Sequence, residues 1–342
     1  MKYRFWWVFM SLVNTPLVFS QDYTIENTYQ KYLKKYPDIS LPDLNIPENI
    51  HVDKDRIYKT IDGIELRLDI YRLLDETLNS PRHTPSNKDI RVQAANNKPV
   101  IMLIHGGGWR VGDKTLMQPL ALGLAKKGYI VATPNYRLSG QAKFPAAIDD
   151  LFTALQWLKV ATNNANIVLA GCSAGGQLAA LLAYSGGQVK LTQQQVNFAP
   201  HDKTTIKSIS ALINIDGLSD FTSPEALPFE NDPNKKVTSA SAWLGGRYED
   251  IPDIWQAASP IFYISEQAPK TLFINSSRVR FSAGKAAAQE RLSTFGVLSD
   301  DVYLDNSPHS FWLLNPWIEP TVNSIDKFLI NNNKNATKAL EN

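Results

Sequence analysis

Residues 171–175 read Gly171-Cys172-Ser173-Ala174-Gly175, and this pentapeptide lies between two segments of different pattern. The apolar run 167–170 before it is typical of a buried strand, and residues 177–184 after it are typical of a helix. A serine on a tight turn between a strand and a helix presents its hydroxyl at the edge of the sheet, and flanking glycines leave room for that turn. The pattern predicts that Ser173 is a nucleophile.

A second glycine-rich segment follows another predicted strand. The apolar residues 100–104 run directly into His-Gly-Gly-Gly-Trp at residues 105–109. Consecutive glycines allow backbone N–H groups to point at one spot, which an oxyanion hole requires. A phosphate-binding loop does not fit, because no Gly-Lys-Ser/Thr follows. We expect the N–H groups of Gly107, Gly108 and Ala174 to form an oxyanion hole beside the nucleophile.

Apolar strand candidates alternate with helix-like segments along the chain, and this order predicts an α/β fold with a mostly parallel sheet covered by helices on both faces. The strands are predicted at 100–104, 129–133, 167–171, 211–215, 271–275 and 301–304. The helices are predicted at 114–127, 146–160, 174–184, 284–295 and 320–331. Before them, residues 56–61 and 65–71 indicate a hairpin, and the polar stretches 186–208 and 222–258 are insertions of the kind that form a lid or a substrate wall.

Three segments together resemble one enzyme family. They are His-Gly-Gly-Gly-Trp at 105–109, Pro-Asn-Tyr-Arg-Leu at 134–138 and Gly-Cys-Ser-Ala-Gly-Gly at 171–176. The set resembles the α/β-hydrolase carboxylesterases of the hormone-sensitive-lipase type, and within them the esterases that deacylate plant polysaccharides, namely acetyl-xylan, feruloyl and pectin acetyl esterases. The resemblance covers residues 55–332. It implies the α/β-hydrolase fold and an ester hydrolysis that needs no metal or other cofactor.

A serine nucleophile needs an imidazole base and a carboxylate that orients it. His309 follows the last predicted strand, where the resemblance places the base. The loop after residues 271–275, where the family has its acid, contains no carboxylate. We expect the acid to be Asp216, at the end of the preceding strand. Asp220, a serine–histidine dyad and an inactive chain remain as alternatives.

Candidate substrate-binding residues flank these positions. Arg278 and Arg280 occupy the loop where the family acid is missing, and a guanidinium binds carboxylates such as those of galacturonate. Trp109 and Trp312 are next to the oxyanion loop and the base, and we expect them to stack on sugar rings. The sequence therefore predicts removal of O-acetyl groups from plant polysaccharides or oligosaccharides, with pectin ahead of xylan. A general short-chain carboxylesterase, a feruloyl esterase and a non-catalytic exported binding protein are the alternatives.

Composition and the chain ends add further expectations. The net charge of the 342 residues is +2, which gives no indication of a nucleic-acid partner. Two basic residues precede an apolar run within residues 1–20, as in a signal peptide, so we expect export to the periplasm or the medium and no membrane association after cleavage. Residues 21–54 are predicted to be a surface extension and residues 333–342 a polar tail. Cys172, the single cysteine, cannot form an internal disulfide, and we expect it to be a buried packing residue.

Overall fold

The computed structural model describes residues 23–74, 98–163, 165–191, 194–197 and 206–340. The predicted signal peptide, residues 1–20, lies outside this part of the chain. In the described part, no helix has both the length and the apolar character needed to cross a lipid bilayer.

A central sheet of eight strands organises the molecule, in the order β1-β2-β4-β3-β5-β8-β9-β10. The first two strands form an antiparallel hairpin, β2 pairs with β4 in antiparallel fashion, and the other pairings in this sheet are parallel. The short strands β6 and β7 form a separate antiparallel pair. The strands are β1 (Ile50–Ile61), β2 (Ile64–Leu73), β3 (Val100–Ile104), β4 (Ile130–Pro134), β5 (Ile167–Cys172), β6 (Gln188–Leu191), β7 (Gln194–Asn197), β8 (Ile209–Ile215), β9 (Lys270–Ser276) and β10 (Ser299–Leu304).

Helices fill the crossovers between the parallel strands, as the alternating pattern predicts. Short 3₁₀ segments accompany them, including Lys114–Met117 before α2 and Val279–Ser282 after β9. The α-helices of the described residues are α1 (Ile25–Leu33), α2 (Gln118–Lys126), α3 (Ala146–Ala161), α4 (Ala174–Ser185), α5 (Leu227–Glu230), α6 (Ser239–Leu244), α7 (Pro252–Ala257), α8 (Lys285–Thr294) and α9 (Ile318–Leu340). The architecture confirms the predicted α/β-hydrolase fold.

Strand β3 shows why the sheet has two cores. All five of its residues are buried, yet Met102 and Ile104 pack in one cluster while Ile101 and Leu103 pack in another. The first cluster includes α3 and α4, and the second includes α2 and α9. Successive side chains of a strand point to opposite faces, so a strand covered on both sides is apolar throughout. Each fully buried aliphatic side chain contributes about 1.5–3 kcal/mol to the stability of the fold. This burial holds in place the strands at whose carboxyl ends the candidate site lies.

Both chain ends differ from the expectation. Strand β1 begins at Ile50, so it crosses the predicted limit between the surface extension 21–54 and the domain 55–332. Within the extension, Tyr36 and Ile39 are buried in the α2–α9 core, because they present apolar surface that this face of the sheet would otherwise leave uncovered. At the other end, α9 continues to Leu340 through most of the predicted tail, since no glycine or proline follows Pro320 to end the helix.

Candidate active site

Ser173 lies on the turn between β5 and α4. Its backbone has φ 55° and ψ −122°, a conformation that costs an L-residue of order 1–3 kcal/mol and persists only when the surroundings enforce it. Its N–H donates to the carbonyl of Ile215, 2.8 Å away, which ties the turn to β8. A Cβ atom at Gly175 would lie 2.7 Å from the carbonyl carbon of Ile104, so only glycine lets α4 begin this close to β3. The sequence thus holds Ser173 at the carboxyl edge of the sheet.

Ser173, His309 and Asp216 lie together, as the sequence predicts. The Nε2 atom of His309 is 2.9 Å from the Ser173 Oγ, and its Nδ1 atom is 2.9 Å from the Asp216 Oδ2. The other carboxylate oxygen of Asp216 accepts the backbone N–H of Ser276 at 2.8 Å. Both ring nitrogens of the imidazole are therefore engaged, one by a hydroxyl and one by a buried carboxylate, as general-base activation of a serine requires.

Asp216 lies close to the end of β9, where the resemblance expects a carboxylate. Strands β8 and β9 are parallel neighbours, and the N–H of Asp216 donates to the carbonyl of Ile274 at 2.9 Å. Its carboxylate accordingly reaches the end of β9, where the resemblance expects the acid. The alternative, Asp220, is engaged elsewhere, since its Oδ1 accepts both the N–H and the hydroxyl of Thr222 at 2.7 Å. Of the two candidates, the structure places Asp216 at the imidazole.

The imidazole of His309 is largely shielded from solvent. Burial lowers its pKa below the ordinary 6.5, and the Asp216 carboxylate opposes this shift. The ring of Phe281 stacks on the imidazole, with ring centroids 3.3 Å apart and planes 7° from parallel. The indole of Trp312 meets it edge-on at 5.0 Å. At neutral pH the lowered pKa favours the unprotonated imidazole, which is the form that accepts a proton.

The loop after β3 forms the facing wall. Gly107 has φ +125°, and a Cβ atom there would overlap the carbonyl oxygen of Val111. Its own carbonyl accepts the N–H groups of Arg110 and Val111, which closes a tight turn. Gly107, Gly108 and Ala174 all line the pocket that contains Ser173. Ala174 is the first residue of α4, and the first N–H groups of a helix have no partner within it, so the predicted oxyanion donors border one space.

His105, the first residue of this loop, is buried and neutral. Its ring stacks on that of Tyr136 with centroids 4.3 Å apart, and its Nδ1 lies 2.8 Å from the carbonyl oxygen of Gly106. Burial lowers its pKa from 6.5 to about 4. The folded protein thus resists a proton that the unfolded chain accepts at mildly acidic pH.

We expect this difference to make the free energy of unfolding fall as the pH drops from about 6.5 to about 4. In this interval the unfolded chain holds one more proton at His105 than the folded protein, and the total loss from this group is about 3 kcal/mol. Below about 4 both states are protonated and the contribution stays constant. Urea unfolding of the native protein and of His105→Gln at several pH values isolates the effect. If the free energy of unfolding fell equally with pH in the two proteins between about 6.5 and about 4, the prediction would be contradicted.

The pocket at Ser173 has a volume of about 300 Å³. Glu230 and Ser239, both from the insertion 222–258, form part of its wall, and this confirms the expectation for that segment. Tyr23 and Tyr32 also line it, although the sequence predicted only a surface extension there. The Tyr23 hydroxyl is 3.0 Å from the Ser310 Oγ. No local pattern reveals this contact, because the two residues are 287 positions apart in the chain.

The two tryptophans do not offer faces for sugar rings, and that prediction is wrong. Trp312 is fully buried behind His309. Trp109 borders the pocket but is only 4% exposed, because its ring stacks on Trp243 at 5.0 Å and its Nε1–H donates to Gln177. Indole rings bury a large apolar area, and here the core gains more from them than a solvent-exposed platform would.

Of the two arginines predicted to bind substrate, Arg280 lines the pocket and Arg278 does not. The Arg280 guanidinium donates to the Glu230 carboxylate at 3.0 Å and lies over the rings of Phe229 and Phe281, about 5 Å from each centroid. Its Nε atom is buried and has no hydrogen-bond partner among the described residues. Arg278 is exposed, because the 3₁₀ turn that follows it directs only the later residues to the pocket.

Cys172 and the potential metal ligands lie as follows in the structure. Cys172 is fully buried, and burial raises its pKa well above the ordinary range, which disfavours the thiolate and confirms the packing role. Within the described ranges, no cluster of histidine, cysteine and carboxylate side chains could hold a metal ion.

Comparison with known proteins agrees with this geometry. The esterase LipC of Mycobacterium tuberculosis is 26% identical over 186 residues, which are 53% of this chain and 44% of LipC, so the chain spans less than half of that relative. A putative alpha/beta hydrolase, R526 of Acanthamoeba polyphaga mimivirus, is 26% identical over 307 residues, or 85% of this chain and 81% of that protein.

A solved structure and a family profile complete the comparison. A truncated carbohydrate esterase from gut microbiota superposes with a TM-score of 0.64 and 17% identity, covering 86% of this chain and 99% of that one, which shows the shared fold. The profile of the BD-FAE family matches residues 89–280, more than half of the chain and the whole segment from the oxyanion loop to Arg280. The chain belongs to the BD-FAE family and has the α/β-hydrolase fold.

Proposed function

We propose that the protein is a serine carboxylesterase that acts through an acyl-serine intermediate. The observation that carries this proposal is the continuous hydrogen-bonded array of Ser173, His309 and Asp216, which lines a pocket of about 300 Å³. The esterase name of LipC and the carbohydrate esterase with the same fold support it.

In the proposed reaction the Ser173 Oγ attacks the ester carbonyl while the Nε2 of His309 takes the hydroxyl proton. The N–H groups of Gly107, Gly108 and Ala174 bind the oxyanion, each contributing on the order of 3 kcal/mol in the transition state. The imidazolium then gives its proton to the oxygen of the departing alcohol. Water attacks the acyl-enzyme with the same imidazole as base, which releases the acid and restores Ser173.

For the substrate we propose an O-acetylated carbohydrate, with acetylated pectin fragments ahead of xylan. The pocket presents Arg280 and Lys31 on its wall, and the guanidinium of Arg280, whose side chain is 37% exposed, can donate to a substrate carboxylate. Glu230 already neutralises one edge of the guanidinium, which reduces but does not remove its attraction for an anion. Galacturonate carries such a carboxylate and the xylose backbone of xylan does not. On the basis of the signal-like residues 1–20, we also propose that the reaction follows export, in the periplasm or outside the cell.

The test is acetate release from acetylated pectin oligosaccharides and acetylated xylan oligosaccharides. We expect release that disappears in Ser173→Ala. We expect Arg280→Met to raise KM for the pectin fragments about tenfold and to change KM for xylan less, because only the former loses a charge-assisted hydrogen bond. Arg278→Met is the matched control and should change neither value.

The other outcomes separate the alternatives. An equal change of KM for both substrates in Arg280→Met would discard the pectin preference and keep the esterase. Release of ferulate from feruloylated fragments without release of acetate would replace the acetyl group by an aromatic acyl group. Hydrolysis of 4-nitrophenyl acetate alone would indicate a general short-chain esterase. No hydrolysis of any ester would favour a binding protein.

A further inference from the structure

The loop that lacks the family's acid carries a different group that contacts the base. This loop forms the 3₁₀ turn Val279–Ser282 after β9, and the N–H of Phe281 donates to the carbonyl of Arg278 at 3.0 Å. The turn directs the phenyl ring of Phe281 onto the imidazole of His309, with centroids 3.3 Å apart and an interplanar angle of 7°. The ring also lines the pocket.

The two hydrogen bonds of the His309 imidazole do not by themselves prevent the ring from tilting. The bonds to Ser173 and Asp216 engage its two nitrogens and fix where these atoms lie. They resist rotation about the line that joins the nitrogens only weakly, because a hydrogen bond tolerates tens of degrees of misalignment. A flat ring packed against one face blocks this tilt. The phenyl face of Phe281 supplies that contact.

The phenyl ring is itself fixed from the other side. The Arg280 guanidinium lies 4.9 Å from its centroid and 5.0 Å from that of Phe229. The same guanidinium is tied to the buried carboxylate of Glu230 at 3.0 Å. Glu230 belongs to α5 in the insertion 222–258. A series of contacts therefore runs from Glu230 through the Arg280 guanidinium and the Phe281 ring to the imidazole of His309.

We propose that Phe281 is a positioning residue for His309, and that the Arg280–Glu230 pair fixes its ring. The inference rests on the proposed role of His309 as the base. The loop after β9 thereby orients the imidazole by stacking, while the carboxylate that orients it by hydrogen bonding comes from β8.

The charged groups that face His309 are Asp216 at the end of β8, Arg280 in the loop after β9 and Lys31 on α1. Burial is the main reason that the pKa of His309 is low. Removing the phenyl face admits water to the imidazole, which raises this pKa toward its ordinary value. A positioning role therefore predicts both a lower kcat and an acid limb of the kcat profile that moves to higher pH.

The experiment measures kcat and KM for 4-nitrophenyl acetate from pH 4.5 to 8 in four proteins. They are the native protein, Phe281→Leu, Phe281→Tyr and Phe295→Leu, which removes an exposed phenyl ring at the end of α8. We expect Phe281→Leu to lower kcat about tenfold, the scale of one aromatic pair, with KM close to the native value. Phe281→Tyr keeps the flat ring and should retain activity and the native acid limb. Phe295→Leu should match the native protein throughout.

A titration by NMR makes the test independent of turnover. In protein labelled with ¹³C-histidine, the pKa of His309 should be higher in Phe281→Leu than in the native protein and Phe281→Tyr. An active Phe281→Leu with native kcat and native His309 pKa would overturn the inference and leave the proposed function intact. Equal losses in Phe281→Leu and Phe281→Tyr would also overturn it. A native protein that hydrolyses no ester would refute the proposed function, and the titration would still decide whether Phe281 controls the imidazole.

Discussion

Asp216→Asn should lower kcat by about 10³–10⁴, with KM close to that of the native protein. When the amide oxygen of the asparagine accepts the Ser276 N–H, its NH₂ group faces the imidazole and donates to Nδ1. This selects the tautomer that carries the proton on Nε2. That tautomer cannot accept the Ser173 proton, and the amide does not stabilise an imidazolium. The Ser276 N–H retains an acceptor in the amide oxygen, so the fold should change little.

Asp220→Asn is the matched control for this prediction. Asp220 is four residues further along the chain, and its carboxylate accepts the N–H and the hydroxyl of Thr222. We expect its kcat to stay close to the native value. Equal losses in the two variants, or a loss below about tenfold in Asp216→Asn, would remove Asp216 from the proposed array and favour a dyad of Ser173 and His309.

Gly107→Ala should lower kcat by about 10²–10³, because it displaces backbone donors of the proposed oxyanion hole. The added methyl group overlaps the carbonyl of Val111, and φ +125° is a conformation that alanine avoids. The loop must therefore open, at a cost of about 1–3 kcal/mol in the free energy of unfolding. Steady-state kinetics and urea unfolding measure the two effects separately.

Gly140→Ala provides the comparison for Gly107→Ala. A Cβ atom at Gly140 meets nothing within 4 Å, and Gly140 is not among the positive-φ glycines of the described chain. Both kcat and the free energy of unfolding should stay close to the native values. If Gly107→Ala behaved in the same way, the loop after β3 would not supply the oxyanion donors.

The sequence was sufficient to predict the parts of the site that follow directly on strands. Ser173, Asp216 and Gly107 each come within three residues of a strand's carboxyl end, and parallel strands bring such ends to one edge of the sheet. His309 follows the last strand by a short loop and reaches the same edge. The position of Asp216 beside the imidazole also follows from this reasoning, because β8 and β9 are neighbours.

The rest depends on packing that has no local pattern. Tyr23 reaches Ser310 across 287 positions, and no periodicity in the extension indicates which side chain faces the pocket. Trp109 and Trp312 are predicted to bind sugar rings but are buried. Proximity in the chain to a functional residue does not decide whether a ring lies in the core or at the surface. The sequence does not indicate the contacts of Phe281 and Glu230, because neither a stacked ring nor the ion pair beside it has a sequence motif.

The central claim is that Ser173 is an activated nucleophile, and a fluorophosphonate probe tests it most directly. After reaction at pH 7, intact-mass spectrometry and peptide mapping should show one adduct, on Ser173, which is absent in Ser173→Ala and forms far more slowly in His309→Ala. An unlabelled native protein, or an adduct at another residue, would contradict the account.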